Sequence, residues 1–262
     1  MSVEVVSPAL GARPGLVQPP LADCSVVARA QNAVVLGATA TWIPLVLVLD
    51  RAADIWSQRA LGLATWAVLL LLLRREAPLV RIQVAVVVVF ATAVEYTFSP
   101  LLEVYVYRLD NVPAFVPPGH GLVYLCALAI GRTALVAERR AQLVLATVVL
   151  GGAYASWGLL ASERPDVLGA FWFVCLLGFL RWGRSTGLYV GAFVVVTVLE
   201  LLGTWLGTWE WATHDPTGLV AIGNPPSGAA GGYGWFDLAA VLAAPALLAA
   251  LDRRRGNRQR TV

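Results

Sequence analysis

Val86-Val87-Val88-Val89-Phe90-Ala91-Thr92-Ala93-Val94-Glu95 is a β-branched apolar run closed by a carboxylate, and Val194-Val195-Val196-Thr197-Val198-Leu199-Glu200 repeats the design in the other half of the chain. Each run lies in an apolar stretch long enough to cross a bilayer, whose ~30 Å hydrocarbon core takes ~20 helical residues. Eight such stretches occur, near 33–49, 56–73, 80–98, 121–137, 142–161, 167–182, 187–207 and 235–251; the sixth is the shortest. The expected fold is therefore all-α, a polytopic membrane bundle of about eight transmembrane helices. It comprises a mobile N-terminal tail over 1–30, a single membrane domain over 31–252 and a basic tail over 253–262.

Composition agrees. Of 262 residues, 58% are hydrophobic and only 13% charged, against ~25% charged in soluble domains. Three dispersed cysteines cannot make a disulfide framework. All 19 basic residues are arginines, and their distribution orients the chain, because short cytoplasmic loops hold the positive excess. With an even number of spans and the N-terminus inside, 15 arginines fall on the cytoplasmic side; Arg51, Arg59, Arg108 and Arg164 do not. The expected location is the plasma membrane, with both termini cytoplasmic and two long connections, 99–120 and 208–234, ordered on the outer face.

The repeat extends beyond the helices. After Glu95 come Tyr105-Val106-Tyr107, Pro117-Pro118 and Gly119-His120-Gly121; after Glu200 come Trp209-Glu210-Trp211, Pro225-Pro226 and Gly232-Tyr233-Gly234. Four spans separate the copies, so halves 33–137 and 142–251 should share topology about an axis along the membrane normal. Counted from Arg81 and Arg184 at 1.5 Å per residue, both glutamates lie ~21–24 Å from the inner face.

A carboxyl inside a span costs ~2.5–3.5 kcal/mol near the centre and marks a functional site by default. In an apolar pocket it can act as a Brønsted acid toward a lipid-dissolved substrate, and two such groups can divide acid and base roles. The structural alternative is a hydrated interfacial pair, or pairing with Arg108. His120 is a second acid/base candidate or a loop anchor. Asp237 either caps the last helix or joins the site. The aromatic pairs are either interfacial belts or a pocket lining that steadies a cation. Gly203 and Gly207 form a small-residue helix-contact motif. Two histidines without metal-ligand spacing give no metal site, and nothing in the pattern calls for a cofactor.

Glu95, the Tyr105/Tyr107 pair, Val112-Pro113, the Trp209/Trp211 pair, Asn224 and Trp235 together resemble the integral-membrane carotenoid-biosynthesis hydratases. Leu102-Glu103-Val104 stands where that family carries Phe-Gly, and His214-Asp215-Pro216 follows the Trp pair where an acidic Asp-Pro motif would precede it. Related membrane terpenoid cyclases use carboxylic acids in the same way. The resemblance implies an isoprenoid lyase or isomerase. Catalytic candidates are Glu95, Glu200, His120 and Asp237; substrate-binding candidates are Tyr105, Tyr107, Trp209, Trp211, Asn224 and Trp235. The expected partners are a lipid-soluble small molecule and membrane lipids, not nucleic acid. Proton-coupled transport and a non-catalytic subunit are the alternatives.

Overall fold

The computed structural model of the protein describes residues 26–260, and side chains from 29 to 254. All eight apolar stretches are helical: α1 (Val26–Asp50), α2 (Ile55–Leu73), α3 (Pro78–Tyr96), α4 (Val116–Gly131), α6 (Arg140–Leu160), α7 (Val167–Trp182), α8 (Thr186–Leu206) and α9 (Ala229–Arg260). A short helix, α5 (Ala134–Glu138), joins α4 to α6. Six of them, α1, α2, α3, α6, α8 and α9, are long and apolar enough to span a membrane, as in a multi-pass membrane protein. The other two, α4 and α7, have 16 residues each.

Local chemistry sets the boundaries. Asp54 caps α2 by accepting from Ser57 N at 2.8 Å, and Pro78 opens α3, where its missing N–H costs nothing. Gly207, at φ 72°, closes α8 in the left-handed conformation that glycine adopts most cheaply. Several expected limits shift. The fourth stretch ends at Gly131, because Thr133 accepts from Val136 N at 3.3 Å and starts a new helix there. The last helix begins at Ala229, six residues before its expected start, and runs through the basic tail to Arg260. Helix α1 begins at Val26, inside the segment expected as tail; residues 1–25 lie outside those described.

The early start of α9 has a packing cause. A Cβ on Gly231 would overlap the Trp172 carbonyl oxygen, and one on Gly234 would overlap the Phe179 ring, so these glycines let α9 lie directly on α7. Helix α4 is the hub. Its Leu122, Tyr124, Leu125, Ala127 and Ala129 are at most 1% exposed, and it packs against α1, α2, α3 and α8. Its approach to α8 is close enough that a Cβ on Gly131 would lie 2.6 Å from the Gly187 carbonyl carbon, and one on Gly191 would overlap the Ala127 carbonyl oxygen. The outward surface is apolar, with Leu63, Val89, Leu160 and Trp205 all at least 71% exposed, as lipid contact requires.

Both long connections are structured. The 97–120 segment holds a π-helical turn (Thr97–Leu101), a three-residue strand β1 (Tyr105–Tyr107) and the first turn of α4. The other holds strand β2 (Trp209–Trp211), which pairs with β1 antiparallel: Tyr105 opposite Trp211, Val106 opposite Glu210, Tyr107 opposite Trp209. This two-stranded sheet is an addition to the all-α reading.

Gly191→Leu is expected to separate α4 from α8 and destabilise the protein by at least ~1–3 kcal/mol through overpacking. A melting temperature in detergent equal to that of the unsubstituted chain would contradict this interface.

Candidate functional site

Glu95 sits on the last turn of α3, 5% exposed, under the β1–β2 ribbon. The strand alternates its side chains, so Tyr105 and Tyr107 point to one face while Val106 points away. Both phenols donate to Glu95 Oε2, at 2.9 and 2.8 Å, and His120 Nε2 lies 2.7 Å from Oε1. Burial, and then the Glu95 charge, push the pKa of Tyr105 and of Tyr107 above the usual phenol range. They therefore remain protonated and serve as donors.

Glu200, 4% exposed on α8, is held by the same device from the other strand. The indole N–H groups of Trp209 and Trp211 donate to Oε2 at 3.0 and 3.2 Å, and the Tyr233 hydroxyl reaches Oε1 at 3.4 Å. Tyr233 also stacks on His120, ring centroids 5.2 Å apart, which ties the two nests together. A carboxyl buried in apolar surroundings is tolerated only when so satisfied.

Both carboxyls line one cavity of about 420 Å³, within the range of small-molecule sites. Its walls are chiefly aromatic and aliphatic, among them Trp42, Phe90, Phe98, Trp172, Trp235 and Phe236. Phe90, Phe98 and Trp235 are 38–48% exposed, so the rim reaches the apolar surface of the bundle. A smaller pocket of about 270 Å³ lies beside the ribbon, lined by Tyr107, Arg108, Thr204, Trp209, Glu210 and Asn224.

Several sequence expectations change. Tyr105, Tyr107, Trp209 and Trp211 are no interfacial belt: all four are at most 8% exposed and point at the glutamates. Arg108 does not pair with either glutamate; it donates to the carbonyls of Asp50 and Ala53 and lies 3.6 Å from the Asp50 carboxylate. Arg164 likewise binds the carbonyls of Trp211, Ala212 and Ile222. Arg108 and Arg164 thus staple the loops that carry the strands.

Gly203 leaves room for the Trp209 ring, not for a neighbouring helix. Asn224 Oδ1 accepts from Trp211 N at 3.2 Å and so holds the strand; it does not line the larger cavity. Asp237 is neither a cap nor a cavity residue. It lies inside α9, 5% exposed, beyond the floor formed by Tyr233 and Phe236.

Sequence reading missed Asp166. Its carboxylate caps α7 through Gly169 N and accepts from Gly223 N, Ser227 N and Ser227 Oγ, which fixes the loop leading into α9. Tyr233 was also missed as a ligand of Glu200. Its position in the second Gly-x-Gly, matching His120 in the first, was the available signal. No family model, curated protein or solved structure matches this chain.

Tyr107→Phe and Trp209→Phe each remove one donor from a buried carboxyl and are expected to cost about 1–3 kcal/mol. Thermal unfolding in detergent would measure this beside the lipid-facing control Trp205→Phe. Equal stability of all three variants would contradict the two nests.

Proposed function

We propose that the protein is an integral membrane enzyme that protonates a carbon–carbon double bond of an isoprenoid or carotenoid-type substrate, as a hydratase or cyclase. The observation that carries the reading is the pair of buried carboxyls, each held by aromatic N–H or O–H donors, in a single apolar cavity with an aromatic rim. A cavity of this size takes one end of a long polyene, and the remainder extends through the exposed rim into lipid. The resemblance to carotenoid hydratases points the same way.

The geometry favours a division of roles. Glu95 is surrounded by two phenols and an imidazole, all at 2.7–2.9 Å, and so is equipped as an acceptor. Glu200 Oε1 is held only by the longer Tyr233 contact and is the oxygen better placed to carry a proton to the cavity. In the proposed reaction Glu200 gives its proton to one alkene carbon, the π pair forms the new C–H bond, and the adjacent carbon becomes cationic. Aromatic faces around it stabilise that charge. Water adds its oxygen to the cation and yields a proton to the Glu95–His120 pair; in a cyclase the π pair of an internal alkene forms a C–C bond to the cation instead, and the new cation loses a proton from a neighbouring carbon to the same pair, its C–H electrons forming a double bond. Return of that proton to Glu200 closes the cycle.

The two-fold register of β1 on β2 supports the internal repeat. It exchanges Tyr105 with Trp209 and Tyr107 with Trp211, as expected of two halves related by an axis along the membrane normal. In this reading all eight long helices cross the membrane, α4 as a shorter span inside the bundle and α7 as a shorter span at its periphery, and both termini are cytoplasmic. An alkaline-phosphatase fusion at the C-terminus should be inactive; an active one would overturn that orientation.

Glu95→Gln and Glu200→Gln should each lower product formation by at least ~10²-fold, the usual scale of a lost acid or base, while leaving folded protein in the membrane. Gln keeps the size and most of the hydrogen bonds but gives up no proton to an alkene. Mass spectrometry of lipid extracts from cells with and without the protein supplies the readout. Unchanged isoprenoid species on expression, or undiminished product in both variants, would reject the enzyme.

A further inference from the structure

Beneath the cavity, polar side chains descend through the bundle at intervals of about one helical turn. On α4, Tyr124 follows His120 by four residues; on α9, Asp237 follows Tyr233 by four. Residues four apart share a helix face, so the stacked pair His120–Tyr233 is succeeded one turn deeper by Tyr124 and Asp237. Tyr189, near the start of α8, comes next. The ion pair of Arg132 with Glu76, at 3.1 Å, stands at the arginine-rich end of α4. At 1.5 Å per residue these levels stand at ~18 Å for His120, ~12 Å for Tyr124 and ~5 Å for Tyr189 above that end.

The middle of this column is unusual for an apolar bundle. Tyr124, Tyr189 and Asp237 are 1%, 0% and 5% exposed. Tyr124 Oη, Tyr189 Oη and Asp237 Oδ2 have no hydrogen-bond partner among the described residues. The charged groups that face the Tyr124 phenol are Asp237 of α9 and Arg132 at the end of α4, and Asp237 also faces Tyr189. Helix α7 presents Phe179, stacked on Tyr189; Glu95 of α3 and Glu200 of α8 stand above. Leaving a buried hydroxyl or carboxyl unmet costs about 1–3 kcal/mol. Three such groups, on α4, α8 and α9, each have a hydrogen bond to offer to water.

We infer that Asp237, Tyr124 and Tyr189 hold ordered water as a proton route from the arginine-rich end of the bundle to the Glu95–His120–Glu200 site. A proton taken up at that end passes by hops: each hydroxyl or water releases its own proton upward as it accepts the next, and Asp237 holds one in transit. No group in the column changes its net protonation, and the last proton settles on a cavity carboxylate. The acid at the cavity thereby equilibrates with one aqueous phase only. This deepens the proposed chemistry and rests on it for purpose, since the protonation of the acid then follows cytoplasmic pH.

The test needs no substrate. Full-length protein is reconstituted into vesicles, and its two orientations are separated by whether external trypsin cuts the C-terminal tail. After an external pH jump, the infrared carboxyl band of the cavity acids is followed, identified by its loss in Glu95→Gln and Glu200→Gln. With the tail outside, the band should respond promptly; with the tail inside, at least about tenfold more slowly. Asp237→Asn should remove the difference by slowing the prompt response. Tyr124→Phe and Tyr189→Phe, which preserve ring packing, should slow it too and carry the test if the Asn variant does not fold. Equal responses from both sides, a band insensitive to pH, or variants that all respond at the original rate would overturn the route. Loss of isoprenoid turnover with this asymmetry intact would instead count against the enzyme reading alone.

Discussion

Two carboxyl groups inside an apolar bundle must each find hydrogen-bond donors, and the rest of the ribbon-bearing end of this molecule is arranged around that requirement. Helical backbone cannot supply the donors, because its own N–H groups are committed to the ladder. Side chains must come from outside the helices, and a strand serves well: its period of two sends alternate residues to one face, so aromatic-x-aromatic delivers two donors to one oxygen. The ribbon of β1 and β2 meets this need twice over, phenols to Glu95 and indoles to Glu200.

The ribbon is itself dependent. An isolated pair of three-residue strands has too few hydrogen bonds to persist. Arg108 and Arg164 bind backbone carbonyls around it, Asn224 holds the Trp211 N–H, and Asp166 locks the following loop to the start of α7. These contacts explain why Asp166 is buried and Arg108 and Arg164 are half-buried, although all three look like ordinary loop polarity. They spend their charge on backbone groups that would otherwise be unmet, and leave the glutamates with uncharged donors and one histidine.

Much of this was legible in the chain. Apolar length located every long helix, since the membrane sets the length and the residue types together, and the shared order of Glu, aromatic pair, proline pair and Gly-x-Gly marked Glu95, Glu200, the four aromatics and His120. The partners of those residues were not legible. Tyr107 and Trp209 lie in different halves of the chain, and no local pattern announces a strand of three residues. Burial of Asp237 was hidden for another reason: Gly231 and Gly234 read as a loop, yet they are helical because α7 comes so close. That close packing moves the start of the helix, and turns a supposed capping residue into an interior one.

The chemical difference between the nests follows from the same substitution of donors. Phenol and imidazole can exchange protons with their surroundings, whereas an indole N–H is a donor only. Around Glu95 every contact is with a group able to pass a proton onward; around Glu200 two of three are with groups that cannot. Exchange of one aromatic donor for another thus changes the chemistry around a buried carboxyl without moving a helix. Tyr233 is the exception on the Glu200 side, and it is also the ring stacked on His120. Tyr233 therefore belongs to both nests, through its hydroxyl at Glu200 and through its ring at His120, so a change of this one side chain disturbs the surroundings of both carboxyls.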